Sequence, residues 1–251
     1  MMQETPREKS LLVLGGTSDI GRAAAAVYAA AGWSVTLAVR NAEEGARDAQ
    51  DLTVRYGKPV KVVTFDARAV ENHVAFVDQL GALPDTVVCV VGILGDQTRA
   101  ETDLAHAADI LRANFEGPAL LLGEIANRMA ARGRGAIVGV SSVAGDRGRA
   151  VNYVYGSAKA GMTAFLSGLR NRLAGKGVRV VTVLPGFVRT RMTAAMKLTG
   201  PLTAEPEEVG RAIHRAAELR PRDVIYVRPV WRLVMFVIRS IPEAIFKRLR
   251  L

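Results

Sequence analysis

Short aliphatic runs alternate with longer stretches of helical periodicity along the first nine-tenths of the chain. The runs Leu11–Leu14, Ser34–Val39, Val60–Phe65, Thr86–Val91, Ala136–Val140, Val178–Leu184 and Val224–Val227 are mostly β-branched or aliphatic. A half-wet strand alternates apolar with polar positions, whereas near-continuous apolar strands are covered on both faces. Between them, Ile20–Ala31, Ala42–Tyr56 and Tyr155–Ala174 read as helices. Strand following helix in turn predicts a parallel sheet, and right-handed crossovers make it doubly wound. The expected fold is therefore α/β, Rossmann type, with about seven strands and a C-terminal helical tail. No repeat or long linker intervenes, so residues 1–251 are expected to form one domain, with 229–251 as an amphipathic basic tail. Pro185 to Thr203 also breaks the rhythm and predicts a long loop with a short helix, a length usually reserved for a functional lid.

The 251 residues are 49% hydrophobic, ample for one large core. Cys89 is the only cysteine, which excludes an internal disulfide, and its apolar surroundings predict a buried, inert thiol. His73, His106 and His214 lack ligand-like spacing, so no metal site is expected. Met1 to Ser10 is polar, unlike a signal peptide, and no run reaches the roughly 20 apolar residues of a spanning helix. A cytoplasmic protein is expected. The net charge is +10, and much of the excess falls late: Arg228, Arg232, Arg239, Lys247, Arg248 and Arg250 against Glu243. Without zinc-finger spacing or aromatic-basic interleaving, nucleic acid is not an expected partner. Anionic small molecules or a membrane surface fit the charge better. The apolar run Leu233–Ile238, bracketed by Arg232 and Arg239, suits the inner face of a membrane or a neighbouring subunit.

The first strand runs into Gly15-Gly16-Thr17-Ser18-Asp19-Ile20-Gly21 and then an alanine-rich helix. Glycines at such a turn let the backbone approach a pyrophosphate, whose charge the helix N-terminus stabilises. Asp19, at the helix start, could cap backbone N–H groups or repel that phosphate. At the end of the second strand Val39 stands where an acid would bind a ribose 2′,3′-diol, and Arg40 follows. A guanidinium there suits a 2′-phosphate, so NADP(H) is favoured and NAD(H) is the alternative.

Tyr155 and Lys159 are four residues apart, on one helical face, and Ser142 ends a strand thirteen residues before Tyr155. Reducing a carbonyl requires a proton for the developing alkoxide. A phenol beside an ammonium and an oxidised nicotinamide can cycle that proton near neutral pH. Ser142 would hold the substrate oxygen.

The turn, Ser142 and Tyr155-Gly156-Ser157-Ala158-Lys159 together resemble the short-chain dehydrogenase/reductase family over nearly all of the chain to about Val227. The resemblance implies an NAD(P)-dependent oxidoreductase acting on a CH–OH or C=O group. It adds Asn114 as the fourth catalytic residue, helping to hold a water chain to Lys159. The cofactor contacts it implies are Gly15, Thr17, Ser18, Ile20, Gly21, Arg40, Asp66 at the adenine, Gly92, Lys159, Val188 and Thr190. Two departures stand out: Asp19 replaces the middle glycine of the turn, and Cys89-Val90-Val91-Gly92 replaces Asn-Asn-Ala-Gly, removing asparagine links across the sheet.

Gly92-Ile93-Leu94-Gly95-Asp96, Val188-Arg189-Thr190-Arg191-Met192 and the tail from Trp231 resemble one small branch of that family, the decaprenylphosphoryl-2-keto-ribose reductases. That likeness implies a lipid-linked sugar ketone as substrate and a partner oxidase; the branch is described as using NADH, against the reading of Arg40. The alternatives are a carbonyl or ketoacyl reductase of soluble substrates and a non-catalytic NAD(P) sensor, which would have no need of a complete tetrad. A homo-oligomer is expected.

Overall fold

The computed structural model describes residues 7–198 and 200–249. Met1 to Pro6, Thr199, Arg250 and Leu251 lie outside the described residues, and with them most of the polar N-terminal stretch and the last basic residue of the tail. In chain order the strands are β1 (Ser10–Leu14), β2 (Ser34–Val39), β3 (Lys61–Thr64), β4 (Thr86–Cys89), β5 (Gly135–Val140), β6 (Val178–Leu184), β7 (Phe187–Val188), β8 (Thr203–Ala204) and β9 (Val224–Tyr226). Seven of them form one parallel sheet in the order β3-β2-β1-β4-β5-β6-β9. The order reverses between β1 and β4. At such a switch point the connections leave in opposite directions and open a crevice beyond the strand ends.

The helices are α1 (Asp19–Ala30), α2 (Ala42–Tyr56), α3 (His73–Gln79), α4 (Gln97–Ala100), α5 (Leu104–Leu111), α6 (Gly117–Arg132), α7 (Tyr153–Leu173), α8 (Pro206–His214), α9 (Val230–Ser240) and α10 (Glu243–Phe246). Strand periodicity sends alternate side chains of β1 to opposite cores. Leu11 and Val13 pack with Tyr28 of α1, Leu52 of α2 and Ile213 of α8. Leu12 and Leu14 pack with Phe76 of α3, Leu121 and Ile125 of α6 and Leu166 of α7. Burial on both faces explains why these strands are apolar throughout.

The expected strands and helices are present, with ends displaced by at most two residues. The loop after β6 differs. It holds no α-helix but two 3-10 turns, Arg191–Thr193 and Gly200–Leu202, and β7 pairs in parallel with β8. Reciprocal Thr190–Thr193 bonds close the first turn, and the Arg189 N–H donates to Ala204 O at 2.9 Å, so the loop is tied at both ends.

The tail also differs from expectation. At 100° per residue a helix cannot present six consecutive apolar side chains to one side. Trp231 and Met235 of α9 are buried against Val143 and Leu184, with Val234 and Ile238 beside them, while Leu233, Phe236 and Val237 face outward. The Trp231 ring fills the space a side chain at Gly186 would need: a Cβ there would lie 1.9 Å from it. Its Nε1 donates to Leu202 O at 2.9 Å. Arg147, from the segment between Ser142 and Tyr155, donates to the Ile238 and Ile241 carbonyls at 2.7 and 2.6 Å and lies 3.7 Å over the Phe246 ring. The end of α9 is thereby capped by the segment that carries the candidate chemistry. Trp231→Ala is expected to cost about 3 kcal/mol through the cavity it leaves, read as a lower urea midpoint with an unchanged slope.

Candidate active site

β5 ends in Ser141 and Ser142, and α7 passes close beside it because small residues permit the approach. A Cβ at Gly145 would lie 2.6 Å from Ala160 N, and one at Gly156 2.9 Å from Ala144 O. The Ser141 hydroxyl donates to Lys159 O at 2.8 Å and lies 2.7 Å from Thr163 Oγ1, which fixes the register of the helix against the strand. Tyr155 and Lys159 consequently face the end of β5 together. The Ser142 hydroxyl stands beside the Tyr155 phenol and accepts from the Ala144 N–H at 3.1 Å. Lys159 Nζ lies 5.7 Å from the Tyr155 ring centroid and donates to Val140 O at 3.2 Å.

Asn114 approaches from the other side. It sits in a π turn, Arg112–Glu116, that joins α5 to α6; such turns often shift a functional side chain out of helical register. Its carboxamide is fully engaged, donating to Ile93 O and Ile110 O at 2.8 Å each and accepting from the Ile93 N–H at 3.2 Å. Gly92 fits between: a Cβ there would be 2.5 Å from Asn114 Oδ1 and 3.2 Å from Lys159 Nζ. Asn114 thus fixes the segment after β4, and through it the space beside the lysine.

Burial dominates the electrostatics. It pushes the Tyr155 phenol up to about 12 against the opposing effect of the Ser142 hydrogen bond. It pushes the Lys159 ammonium down to about 8, with Cys89 acting the other way. The lowering of the phenol expected from the sequence is therefore reversed in the protein alone, because desolvation is the dominant effect on it. Tyr155 is loaded with its proton, the state a reductase needs. Cys89 is buried, and its thiol is pushed up to about 11, as expected of an inert cysteine.

Beyond the ends of β1, β2 and β4 lies a cavity of about 300 Å³ lined by Gly15, Thr17, Ser18, Arg40, Asp66 and Gly92, among others. Its floor is close-packed backbone. A Cβ at Gly21 would fall 2.5 Å from Gly15 O, and Gly15 itself has φ +87°, which a side chain would strain. These are the steric demands of a turn that carries a dinucleotide. Asp66 exposes its carboxylate there while Oδ1 accepts from the Arg68 N–H at 3.0 Å, so it is at once a turn residue and a lining residue. Arg40 is exposed at the rim and makes no hydrogen bond or ion pair among the described residues. Ile20 and Gly21 support the turn from beneath; Val188 and Thr190 lie on the loop after β6.

Asp19 does not cap α1. Ser18 does, its hydroxyl accepting from the Gly21 N–H at 3.1 Å and donating to Gly15 O at 2.8 Å. The Asp19 carboxylate instead receives the Arg191 N–H at 2.7 Å and Nε at 3.2 Å. The same guanidinium reaches Glu44 Oε1 at 3.0 Å and the Thr17 carbonyl. Asp19 is therefore neutralised by a cation from the loop after β6, which closes the concern that it would repel a phosphate. Sequence reasoning missed this clamp, since the partners are 172 residues apart. It also missed Ser141 and Thr163. The only available signal for the clamp was an acid where the family has glycine.

The family model of the short chain dehydrogenases matches residues 9–199. The chain belongs to the short-chain dehydrogenase family. It is 40% identical over 242 residues to an uncharacterized oxidoreductase of Mycobacterium tuberculosis (strain ATCC 25618 / H37Rv), covering 95% of this chain and 96% of that one. It is 31% identical over 217 residues to the acetoacetyl-CoA reductase of Allochromatium vinosum, covering 80% and 88%. A crystal structure described as a candidate NAD(P)-dependent gluconate 5-dehydrogenase from Beutenbergia cavernae, with NADP at low occupancy, superposes with a TM-score of 0.81 at 25% identity, covering 91% and 98%. The chain is accordingly an NAD(P)-dependent oxidoreductase with a nicotinamide cofactor and a small-molecule substrate. Among the described residues no helix is long and apolar enough to cross a membrane.

The buried lysine gives a test with opposite signs for fold and function. Its lowered pKa means that the desolvation penalty is present in full below about pH 8. Between about 8 and the ordinary lysine value the unfolded chain binds the extra proton, so stability rises with pH there. Lys159→Met should therefore stabilise the fold at pH 7 by on the order of 1–3 kcal/mol and abolish that rise, while turnover collapses and cofactor affinity falls. Melting temperatures of both proteins from pH 7 to 10 check the first part, and cofactor fluorescence the second.

Proposed function

We propose that this enzyme is an NADP(H)-dependent ketone reductase whose substrate is a polyprenyl-phosphoryl 2-keto pentose, reduced to the arabinose epimer at the inner face of a membrane. The carrying observation is the proton-loaded Tyr155 with Ser142 and buried Lys159 beside it, at the end of a dinucleotide-shaped cavity. When bound, the cofactor supplies a hydride to the carbonyl carbon. Ser142 Oγ hydrogen-bonds the carbonyl oxygen and sets it within reach of the phenol. The Tyr155 hydroxyl gives its proton to that oxygen as it gains charge, and the Lys159 ammonium stabilises the phenolate left behind. Asn114 keeps the Gly92–Ile93 segment, and so the space beside Lys159, in place.

The preference for NADP(H) rests on Arg40, an unpaired guanidinium at the adenosine end of the cavity with Val39 in place of a diol-binding acid. Arg68 lines the same region but is committed to Asp109, and Arg191 to Asp19 and Glu44. The lipid-linked substrate is supported by the likeness of the tail and of the segments around Gly92 and Thr190 to the keto-ribose reductases. The outward apolar side of α9 adds to it. That substrate requires a partner oxidase to generate the ketone. A second reading, reduction of a soluble ketoacyl thioester, draws on the likeness to the acetoacetyl-CoA reductase.

NADPH and NADH oxidation measured against polyprenyl-phosphoryl 2-keto-ribose, with acetoacetyl-CoA as the soluble control, separates the two. Turnover of the lipid-linked ketone alone supports the first reading; turnover of the thioester alone replaces it. Tyr155→Phe should lower either activity by at least about 10³-fold, within the range of a lost general acid, with cofactor binding near normal. Arg40→Ala should weaken NADPH about tenfold or more and NADH hardly at all, the loss of a charge-assisted phosphate bond. Equal losses for both cofactors would leave Arg40 as a wall of the adenine pocket.

A further inference from the structure

Beyond the tail, the structure assembles a basic surface from two separate segments of the chain. A groove of about 630 Å³ runs along the edge strand β9, lined by Arg215, Arg220, Arg222, Tyr226 and Arg232 with small and aliphatic neighbours. It continues into a second depression of about 690 Å³, where Arg232 and Arg239 face Leu233 and Phe236. No aspartate or glutamate lines either one. None of the five guanidinium groups makes a hydrogen bond or ion pair among the described residues. Nearby arginines behave differently: Arg228 is held by Glu208 at 2.8 Å, and Arg179 lies 3.7 Å from Glu218. Asp146, whose carboxyl feels the charge of Arg239, is occupied by the Tyr226 hydroxyl at 2.9 Å.

An apolar ridge borders the groove. Leu233, Phe236 and Val237 are 64%, 69% and 55% exposed, although α9 already buries Trp231 and Met235 on its inner side. Arg232 and Arg239 are two helical turns apart and flank this ridge on its groove side.

We propose that this composite surface seats the enzyme on an anionic lipid bilayer. The ridge would enter the acyl boundary while the five guanidinia meet lipid phosphates. The pairing of features decides between occupants. A free phosphate would use the arginines and leave the ridge unexplained. A nucleic acid would also leave it unexplained, and the groove's one aromatic residue, Tyr226, has its hydroxyl committed to Asp146. A second copy packed about a two-fold axis would bring this same patch against itself, and a patch lined by no carboxylate offers its own arginines no anionic partner. Only a bilayer accepts both an apolar ridge and an acid-free array of cations.

The location gives the seat a consequence. Trp231 packs on Gly186, Tyr226 binds Asp146 and the end of α9 is held by Arg147, both from the segment between Ser142 and Tyr155, so the surface adjoins the wall of the substrate mouth. A lipid-linked ketone would then reach Tyr155 without leaving the bilayer. That consequence rests on the substrate reading above; the seat itself does not.

The test is flotation of the full chain with vesicles of equimolar phosphatidylglycerol and phosphatidylcholine, against pure phosphatidylcholine, at 50 and 500 mM salt. Binding to the anionic vesicles alone, lost at high salt, is expected. Arg215→Gln/Arg220→Gln/Arg222→Gln, all outside the tail, should weaken it about a hundredfold, at roughly fivefold per charge near an anionic leaflet. Lys61→Gln/Arg134→Gln/Lys176→Gln removes the same charge elsewhere and should weaken it only a few-fold. Leu233→Ser/Phe236→Ser should weaken it too, while every variant keeps wild-type cofactor affinity. The proposal is overturned if the wild type ignores anionic vesicles, or if both charge triples lose equally. It is also overturned if the ridge variant changes only the oligomeric state. Vesicle binding without turnover of the lipid-linked ketone would uphold the seat and sink the substrate.

Discussion

Burying the Lys159 ammonium is the constraint around which the site is arranged. An unpaired charge in a core is among the most costly things a fold can contain, and no carboxylate neutralises this one. The structure answers with one carbonyl acceptor, Val140 O, and with close backbone packing that leaves the ammonium room only beside Tyr155. Gly92, Gly145 and Gly156 are the means: each would collide with a neighbouring element if it carried a side chain. The cost appears as a pKa lowered to about 8, and the cation stands beside Tyr155, where the proposed reaction would leave a phenolate. Asn114 belongs to the same arrangement. A polar amide in a helix interior, set in a π turn, spends two of its three hydrogen bonds on fixing the Gly92–Ile93 segment and the third on Ile110 O of α5.

The same economy of small residues and long-range contacts governs the cofactor cleft. Replacing a turn glycine by Asp19 would ordinarily place a negative charge where phosphates belong. Here the acid serves as the receptor for Arg191, and the loop after β6 is thereby drawn onto the turn after β1. Two segments proposed to meet a dinucleotide are thus already connected in the protein alone, which would reduce the ordering that binding has to impose. Because Arg191 also lines the cavity and spans Glu44 and Thr17 O, the clamp forms part of the cleft wall.

Most of the fold was legible because it rests on local signals. Apolar strands, helical periodicity and glycine turns are read from neighbours in sequence, and Ser142, Tyr155 and Lys159 lie within eighteen positions of each other. What escaped is long-range. The Arg191 clamp, the Ser141–Thr163 tie and the grip of Arg147 on α9 join segments whose relation appears only when the sheet is assembled. The phenol's raised pKa escaped for a related reason: sequence shows the neighbouring lysine but not the burial that raises the phenol. The tail was read by composition alone, as a run of apolar residues. The helix divides that run between a core-facing side and an outward side, so Trp231 and Met235 belong to the body of the protein.

The net charge of +10 takes on meaning once it is divided by partner. Arg68, Arg128, Arg170, Arg179, Arg189, Arg191 and Arg228 each lie within ion-pair distance of a carboxylate, and such residues add little to the field outside. Arg40 at the cavity rim and the five arginines beside β9 and α9 have no such partner among the described residues. An exposed guanidinium without a carboxylate keeps its full charge available, limited by a screening length of about 8 Å at physiological salt. Both unpaired sets lie where the proposed reaction brings phosphate: one at the adenosine end of the cofactor cleft, the other on the face next to the substrate mouth. A protein that only needed solubility could have scattered that charge evenly. The two clusters, one against a glycine-floored cavity and one against an apolar ridge, are what the proposed nucleotide phosphate and the proposed lipid headgroup would each account for.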